Sequence, residues 1–214
     1  MRARGSRRPR LVLATSSADK ARELRELLGL ARGDLVTRAD LGVRGEPIED
    51  GLTFETNARI KARHAARATR LPALADDSGI EVDALGGAPG VHTRRYAGPD
   101  ASDEDNNAKL LRELAAVPAG RRGARYVCVL ALALPDESAP GGVRVITRRG
   151  TTRGRIAFEP RGTGGFGYDP LFEPAREKPG GRTFAQYAPA EKDAISHRGR
   201  AARRMVPVLR ELGF

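Results

Sequence analysis

The 214-residue chain has one cysteine, no tryptophan and only 5% aromatic residues. The single thiol, Cys128 within "RYVCVLALAL", excludes an intramolecular disulfide, and its apolar neighbours mark an inert core side chain rather than a redox centre. No apolar run reaches the roughly 18 to 20 residues of a membrane helix. The start "MRARGSRRPR" lacks the apolar stretch of a secretory signal, so a cytoplasmic protein without a membrane partner is expected. The G-x-x-x-x-G-K-[ST] pattern of Walker-type nucleoside triphosphatases is also missing. "GTGGFG" at 162–167 does match G-x-G-x-x-G. Tyr168, Asp169 and Pro170 follow it where a dinucleotide-binding fold needs a helix to begin, so context excludes that reading.

Acidic residues are outnumbered, 27 to 38, giving a formal charge of +11. Such a balance suits nucleic acid or small acidic ligands. With six Phe, four Tyr and no Trp, however, the chain lacks the interleaved aromatics of a nucleic-acid platform, and no specific nucleic acid is expected. Much of the charge is local. Arg2, Arg4, Arg7, Arg8 and Arg10 fall in residues 1–10, read as a disordered tail ahead of a domain at 11–214. Lysine is scarce: Lys20, Lys61, Lys109, Lys178 and Lys192 are all there is. A compact ammonium meets phosphate as a point charge, which the planar arginine fork does not reproduce.

Strand and helix patterns alternate. "RLVLA" reads as a buried strand, and "ADKARELRELLG" as a helix stopped by Gly29. "LTFETNARIKARHAARATRL" is a longer helix, "PALA" a strand running into Asp76, and "IEVDAL" extended chain. "SDEDNNAKLLRELAAV" carries a Ser-x-x-Asp cap at Ser102 before periodic leucines and reads as a third helix. "RYVCVLALAL" and "VRVITRRGTTRGRIAF" read as neighbouring strands joined by "PDESAPGG". "EPRGTGGFGYDPLF" reads as glycine-rich loop, and a closing helix is interrupted near Ser196. The expected fold is α/β: a mixed twisted sheet flanked by helices, in two lobes with the active site in the cleft between them.

Four short stretches carry chemistry. "TSSADK" (15–20) lies at a strand-to-helix junction, where free backbone N–H groups favour an anion and Lys20 can reach it; the bland reading is that Ser16 or Ser17 only caps the helix. Asp76 and Asp77 alternate along a strand end, so they point to different sides. One can bind a hard cation such as Mg²⁺ with Glu49 as a further carboxylate, unless Asp-Asp-Ser-Gly is merely a turn. The loop holding Phe166 and Tyr168 lets backbone approach a ligand while an aromatic face stacks on a planar base. His197 and Arg198 both donate to a carbonyl-type acceptor. His64 and His92 lack metal-ligand spacing and read as structural.

Seven ordered blocks across 11–213, among them "LATSSADKARELRELL", "LPALADDSGIEVDALGGAPGVHTRRYAG", "GTGGFGYDPLF" and "EKDAISHRGRA", resemble the inosine triphosphate pyrophosphatases. That resemblance implies hydrolysis of ITP, dITP and XTP to the monophosphate and pyrophosphate, with Mg²⁺, by a homodimer. It places phosphate contacts on Thr15, Ser16, Ser17, Lys20 and Lys61, with two serines where the family usually has Gly-Asn. It places metal ligands on Glu49, Asp76 and Asp77, with Asp77 also the proton acceptor, and a substrate contact on Ser78. The base-binding loop falls on Phe166, Gly167, Tyr168 and Asp169, a substrate lysine on Lys192, and readers of the purine 6-oxo group on His197 and Arg198. Asp193 stands where the family often has Asn. The competing readings are a related pyrophosphatase acting on dTTP or UTP, and a basic nucleic-acid-binding protein.

Overall fold

The computed structural model describes residues 10–15, 17–30, 34–43 and 45–214. The expected tail, apart from Arg10, and Ser16 lie outside the described residues. Six strands form one sheet in the order β2-β1-β3-β4-β5-β6. β1 (Leu11–Leu13) runs parallel to both β2 (Leu35–Thr37) and β3 (Ala73–Val82). β4 (Gly123–Pro135), β5 (Val143–Ile156) and β6 (Phe172–Pro174) continue antiparallel from β3. The mixed α/β sheet is the expected one.

Alternation along β4 sorts the core. Cys128, Leu130 and Leu132 pack with Leu24 of α1 (Ala18–Leu28) and Met205 of α5 (His197–Glu211). Val127, Val129 and Ala131 face α2 (Phe54–Thr69), whose Ala58, Ala62 and Ala65 are small enough to let the helix lie close to the sheet. Burying each fully enclosed leucine stabilises the fold by about 2 kcal/mol, so Leu130→Ala, which also leaves a cavity, costs about 2 to 5 kcal/mol. A third cluster gathers Ile80, Tyr126, Phe172 and Phe184 with Leu110 of α3 (Asp103–Glu113).

Several local readings change. Asp76 and Asp77 do not end a strand: β3 runs on through Ser78 and Gly79 to Val82, paired with β4 throughout. The short strands β2 and β6 were unread, and α3 stops at Glu113, before "LAAV". The break near Ser196 is a true junction. Ser196 closes α4 (Pro189–Ile195) and caps α5 by accepting the Gly199 N–H at 2.9 Å.

Candidate active site

Because β3 alternates, Asp76 shares a face with Leu74 and Asp77 with Ala75, and each acid meets a different set of helices. Asp76 is 1% exposed and lies beneath the α1 and α5 side. Its Oδ2 is 3.2 Å from Lys20 Nζ, 3.8 Å from an Arg198 nitrogen, and accepts the Ser78 hydroxyl at 3.2 Å. Burial pushes this carboxyl up, but Lys20, Arg198 and Lys61 outweigh it and hold the pKa well below the carboxylate range. Asp77 faces α2, where its Oδ1 accepts from Lys61 Nζ at 2.7 Å. Here burial wins over the lysine and pushes the carboxyl up.

Lys61 also lies 3.0 Å from Glu49 Oε2, so two carboxylates converge on one cationic position. Burial opposes its charge, while Asp77, Asp76 and Glu49 prevail and raise its pKa. Glu49 and Asp77 pair with Lys61, whereas Asp76, one residue on along the strand, pairs with Lys20 and Arg198. Among the described residues no three acidic, imidazole or thiol groups cluster to hold a metal. A hard cation held by one or two carboxylates completes its shell with water and substrate phosphate, so the pair fits Mg²⁺ on donor chemistry.

A cleft of about 440 Å³ opens over these residues, within the range of small-molecule sites. Its lining includes Thr15, Ser17, Lys20, Glu49, Lys61 and Asp77. Ser17 caps α1 by accepting the Lys20 N–H at 3.4 Å, which leaves the first-turn amides of that helix at the cleft.

The lining also includes Phe166, Gly167, Tyr168, Asp169, Lys192, His197 and Arg198, together with Ser78, whose hydroxyl bonds both Asp76 and Arg198. Gly150 of β5 brings the start of α5 close: a Cβ there would lie 2.1 Å from the His197 carbonyl. His197 stacks on Tyr126 with ring centroids 4.5 Å apart. Burial, then Arg198, Lys192 and Lys20, push its pKa well below the usual value, so the imidazole is neutral. His197 Nδ1 and Arg198 Nε are buried without hydrogen-bond partners in the protein. Arg198 reaches Ser78 Oγ at 3.1 Å and pairs with Glu23, which also holds Lys192 at 3.0 Å. Lys192 in turn bonds Asp169 at 2.7 Å. Asp169 accepts the Phe166 N–H at 3.0 Å and the Tyr126 hydroxyl at 3.3 Å, so it organises the loop from beneath. Phe166 lays its ring 5.0 Å from Lys192 Nζ and 5.5 Å from Arg198 Cζ.

Every described residue expected at the site except Asp76 lines this one cleft. Sequence reading missed Glu23, Tyr126 and the exposed cations Arg94 and Arg95 on the cleft wall. Glu23 sits in "RELREL" of α1, outside every motif singled out above; its place three residues after Lys20 was the available signal.

Residues 11–208 match the Ham1 family. The chain is 49% identical over 202 residues to a dITP/XTP pyrophosphatase of Shigella flexneri, covering 94% of this chain and 98% of that protein. It is 48% identical over 202 residues to the dITP/XTP pyrophosphatase of Escherichia coli K12, with the same coverage. Among solved structures, a HAM1 protein from Coxiella burnetii superposes with a TM-score of 0.83 at 43% identity, covering 95% of this chain and 99% of that one. A nucleoside-triphosphatase/dITP/XTP pyrophosphatase from Mycobacterium abscessus gives 0.73 at 41% identity, covering 92% and 99%.

Proposed function

The chain belongs to the Ham1 family, and from that premise we propose that it hydrolyses nonstandard purine nucleoside triphosphates (ITP, dITP and XTP) to the monophosphate and pyrophosphate. One observation carries the reading: a single cleft gathers ammonium groups and the start of a helix, here assigned to one end, with two unpartnered buried side-chain nitrogens and an aromatic ring, assigned to the other. A triphosphate suits the first end, a 6-oxopurine the second.

Lys20, Lys61 and the first-turn amides of α1 bind the phosphates and offset charge that grows on the leaving pyrophosphate, stabilisation that is strongest in a water-poor site. Asp77 takes a proton from water as the water oxygen bonds to the α-phosphorus and the bond to the bridging oxygen breaks. A carboxyl raised toward neutrality accepts that proton more readily than an unperturbed one. Mg²⁺ bound through Glu49 and Asp77 would supply charge neutralisation at the phosphate oxygens. Asp76 positions Lys20 and Arg198 through its ion pairs with both. At the base end His197 and Arg198 donate to the 6-oxo acceptor, while an adenine amino group there would leave both donors unpaired, at about 1 to 3 kcal/mol each. A two-lobed arrangement, with α1, α2 and α5 on one lobe and α3 and β6 on the other, belongs to the same proposal, as do a homodimer and a cytoplasmic location.

The test is a turnover screen of purine and pyrimidine triphosphates, with Mg²⁺ and with a chelator, in which products are separated. ITP and XTP should be the preferred substrates and pyrophosphate the product. Release of orthophosphate, or better turnover of dTTP and UTP, overturns the reading.

A further inference from the structure

Helix α3 supplies no group to the chemistry above, yet its first two turns hold both the 94–97 segment and the loop at Gly167. Asn106 accepts the Ala97 N–H at 2.8 Å and donates to the Arg94 carbonyl at 3.1 Å. One residue on, and so about 100° around the helix, Asn107 Nδ2 donates to the Gly167 carbonyl at 3.0 Å. Asp103 Oδ2 accepts the Gly167 N–H at 2.5 Å. Both backbone polar groups of Gly167 are therefore held by one helix. Asn107 is buried, and Asp103 lines the cleft itself.

Gly167 adopts a left-handed φ of +64°, and a Cβ there would meet nothing within 4 Å. Its backbone conformation, rather than lack of room, calls for glycine. The preceding residue, Phe166, has its own N–H fixed by Asp169. With Asp169 on one side and α3 on the other, the backbone that carries the ring is tied at two successive residues. A segment with glycines at 162, 164, 165 and 167 would otherwise pay an ordering cost each time a base docks on it.

Resting on the nucleotide reading above, we propose that Asp103 and Asn107 are positioning residues that set base affinity and selectivity by clamping Gly167 and so fixing Phe166 in the cleft. Their effect falls on the base contacts, because both bond Gly167, whereas Lys20, Lys61 and Asp77 stand on α1, α2 and β3.

The experiment measures kcat and KM for ITP and ATP, and the Ki of inorganic tripolyphosphate as competitive inhibitor, in the wild type and in Asp103→Ala, Asp103→Asn, Asn107→Ala and Glu104→Ala. Loss of one charged hydrogen bond in Asp103→Ala should raise KM for ITP on the order of tenfold. Ground-state binding alone is affected, so kcat should stay within about twofold. Tripolyphosphate Ki should not move, and the ITP over ATP preference should shrink. Asp103→Asn keeps a carbonyl acceptor and should restore KM. Glu104→Ala removes the same charge from the same helical turn without touching the loop and should leave KM unchanged. Asn107→Ala should repeat the Asp103→Ala pattern. An unchanged KM in both loop-contact variants, an equal rise in tripolyphosphate Ki, or the same effect from Glu104→Ala overturns the clamp. If the wild type fails to turn over ITP, the functional reading falls and the clamp with it; normal wild-type turnover with unaffected variants overturns the clamp alone.

Discussion

Asp76 and Asp77 are neighbours in sequence, and the structure predicts opposite consequences for Asp76→Asn and Asp77→Asn. Asp76 is buried among cations that hold its pKa well below the usual value, so folding favours its charged form. Neutralising it leaves Lys20 and Arg198 without that counter-charge. Breaking a buried ion pair from one side costs about 3 to 5 kcal/mol, which in a chain of this size lowers Tm by roughly 6 to 20 °C. The sign with pH follows from the depressed pKa. The contribution of Asp76 is fully present above the unfolded carboxyl value of about 4 and is lost as the pH falls through the lower folded value. Asp77 is the reverse case: its pKa is raised, so folding disfavours the carboxylate at neutral pH, and Lys61 keeps Glu49 at 3.0 Å when Asp77 is neutral. Asp77→Asn should therefore be close to neutral for stability, within about 1 kcal/mol, while losing at least about a hundredfold in kcat as the proton acceptor disappears. The assays are urea and thermal unfolding at pH 7 for both variants, with pyrophosphate release from ITP. Equal stability losses, or unchanged kcat in Asp77→Asn, would refute the reasoning.

Arg198→Ala should erode the preference for ITP over ATP from about a hundredfold or more, the scale of a mismatched buried donor, because the correct base loses more than the wrong one; equal proportional losses of kcat/KM for the two would move the specificity role to residues 166–169. Ser17→Asn should be tolerated, with stability within about 0.5 kcal/mol since Asn and Ser cap helices equally well; a loss of activity with intact stability would show that the serine hydroxyl contacts substrate in a way the amide cannot. His197 has a depressed pKa, so the unfolded chain binds a proton below about pH 6.5 that the folded chain refuses, and stability should fall as the pH drops below that value. His197→Gln should flatten this slope between pH 7.5 and 5.5 in urea midpoints; an unchanged slope would mean that His197 titrates normally.

What could be read from the sequence divides along a physical line. Long elements whose cores repeat at regular spacing were legible: α1, α2, β4 and β5 follow from apolar periodicity alone, and the α4–α5 break from the polar "SHRG" insertion. The site residues were expected as a set through the family resemblance, and folding brings the described ones except Asp76 to one cleft, from the start of α1, the interior of α2 and β3, the 166–169 loop and the α4–α5 junction. Local rules failed where a tertiary partner overrides them. "DDSG" has the composition of a turn, yet it continues a strand because Lys20, Lys61 and Arg198 compensate two carboxylates that a sheet interior would otherwise reject. Glu23 shows the same limit from a helix. Its neighbours make it look solvated, and only the arrival of Lys192 and Arg198, 169 and 175 residues away in sequence, turns it into the counter-ion of the base end. Alternation along β3 decided the remaining question. It separates an Asp77 that lines the cleft and pairs with Lys61 from an Asp76 that pairs with Lys20 and Arg198, a difference implicit in adjacency on a strand but unassignable until the helices on each face are known.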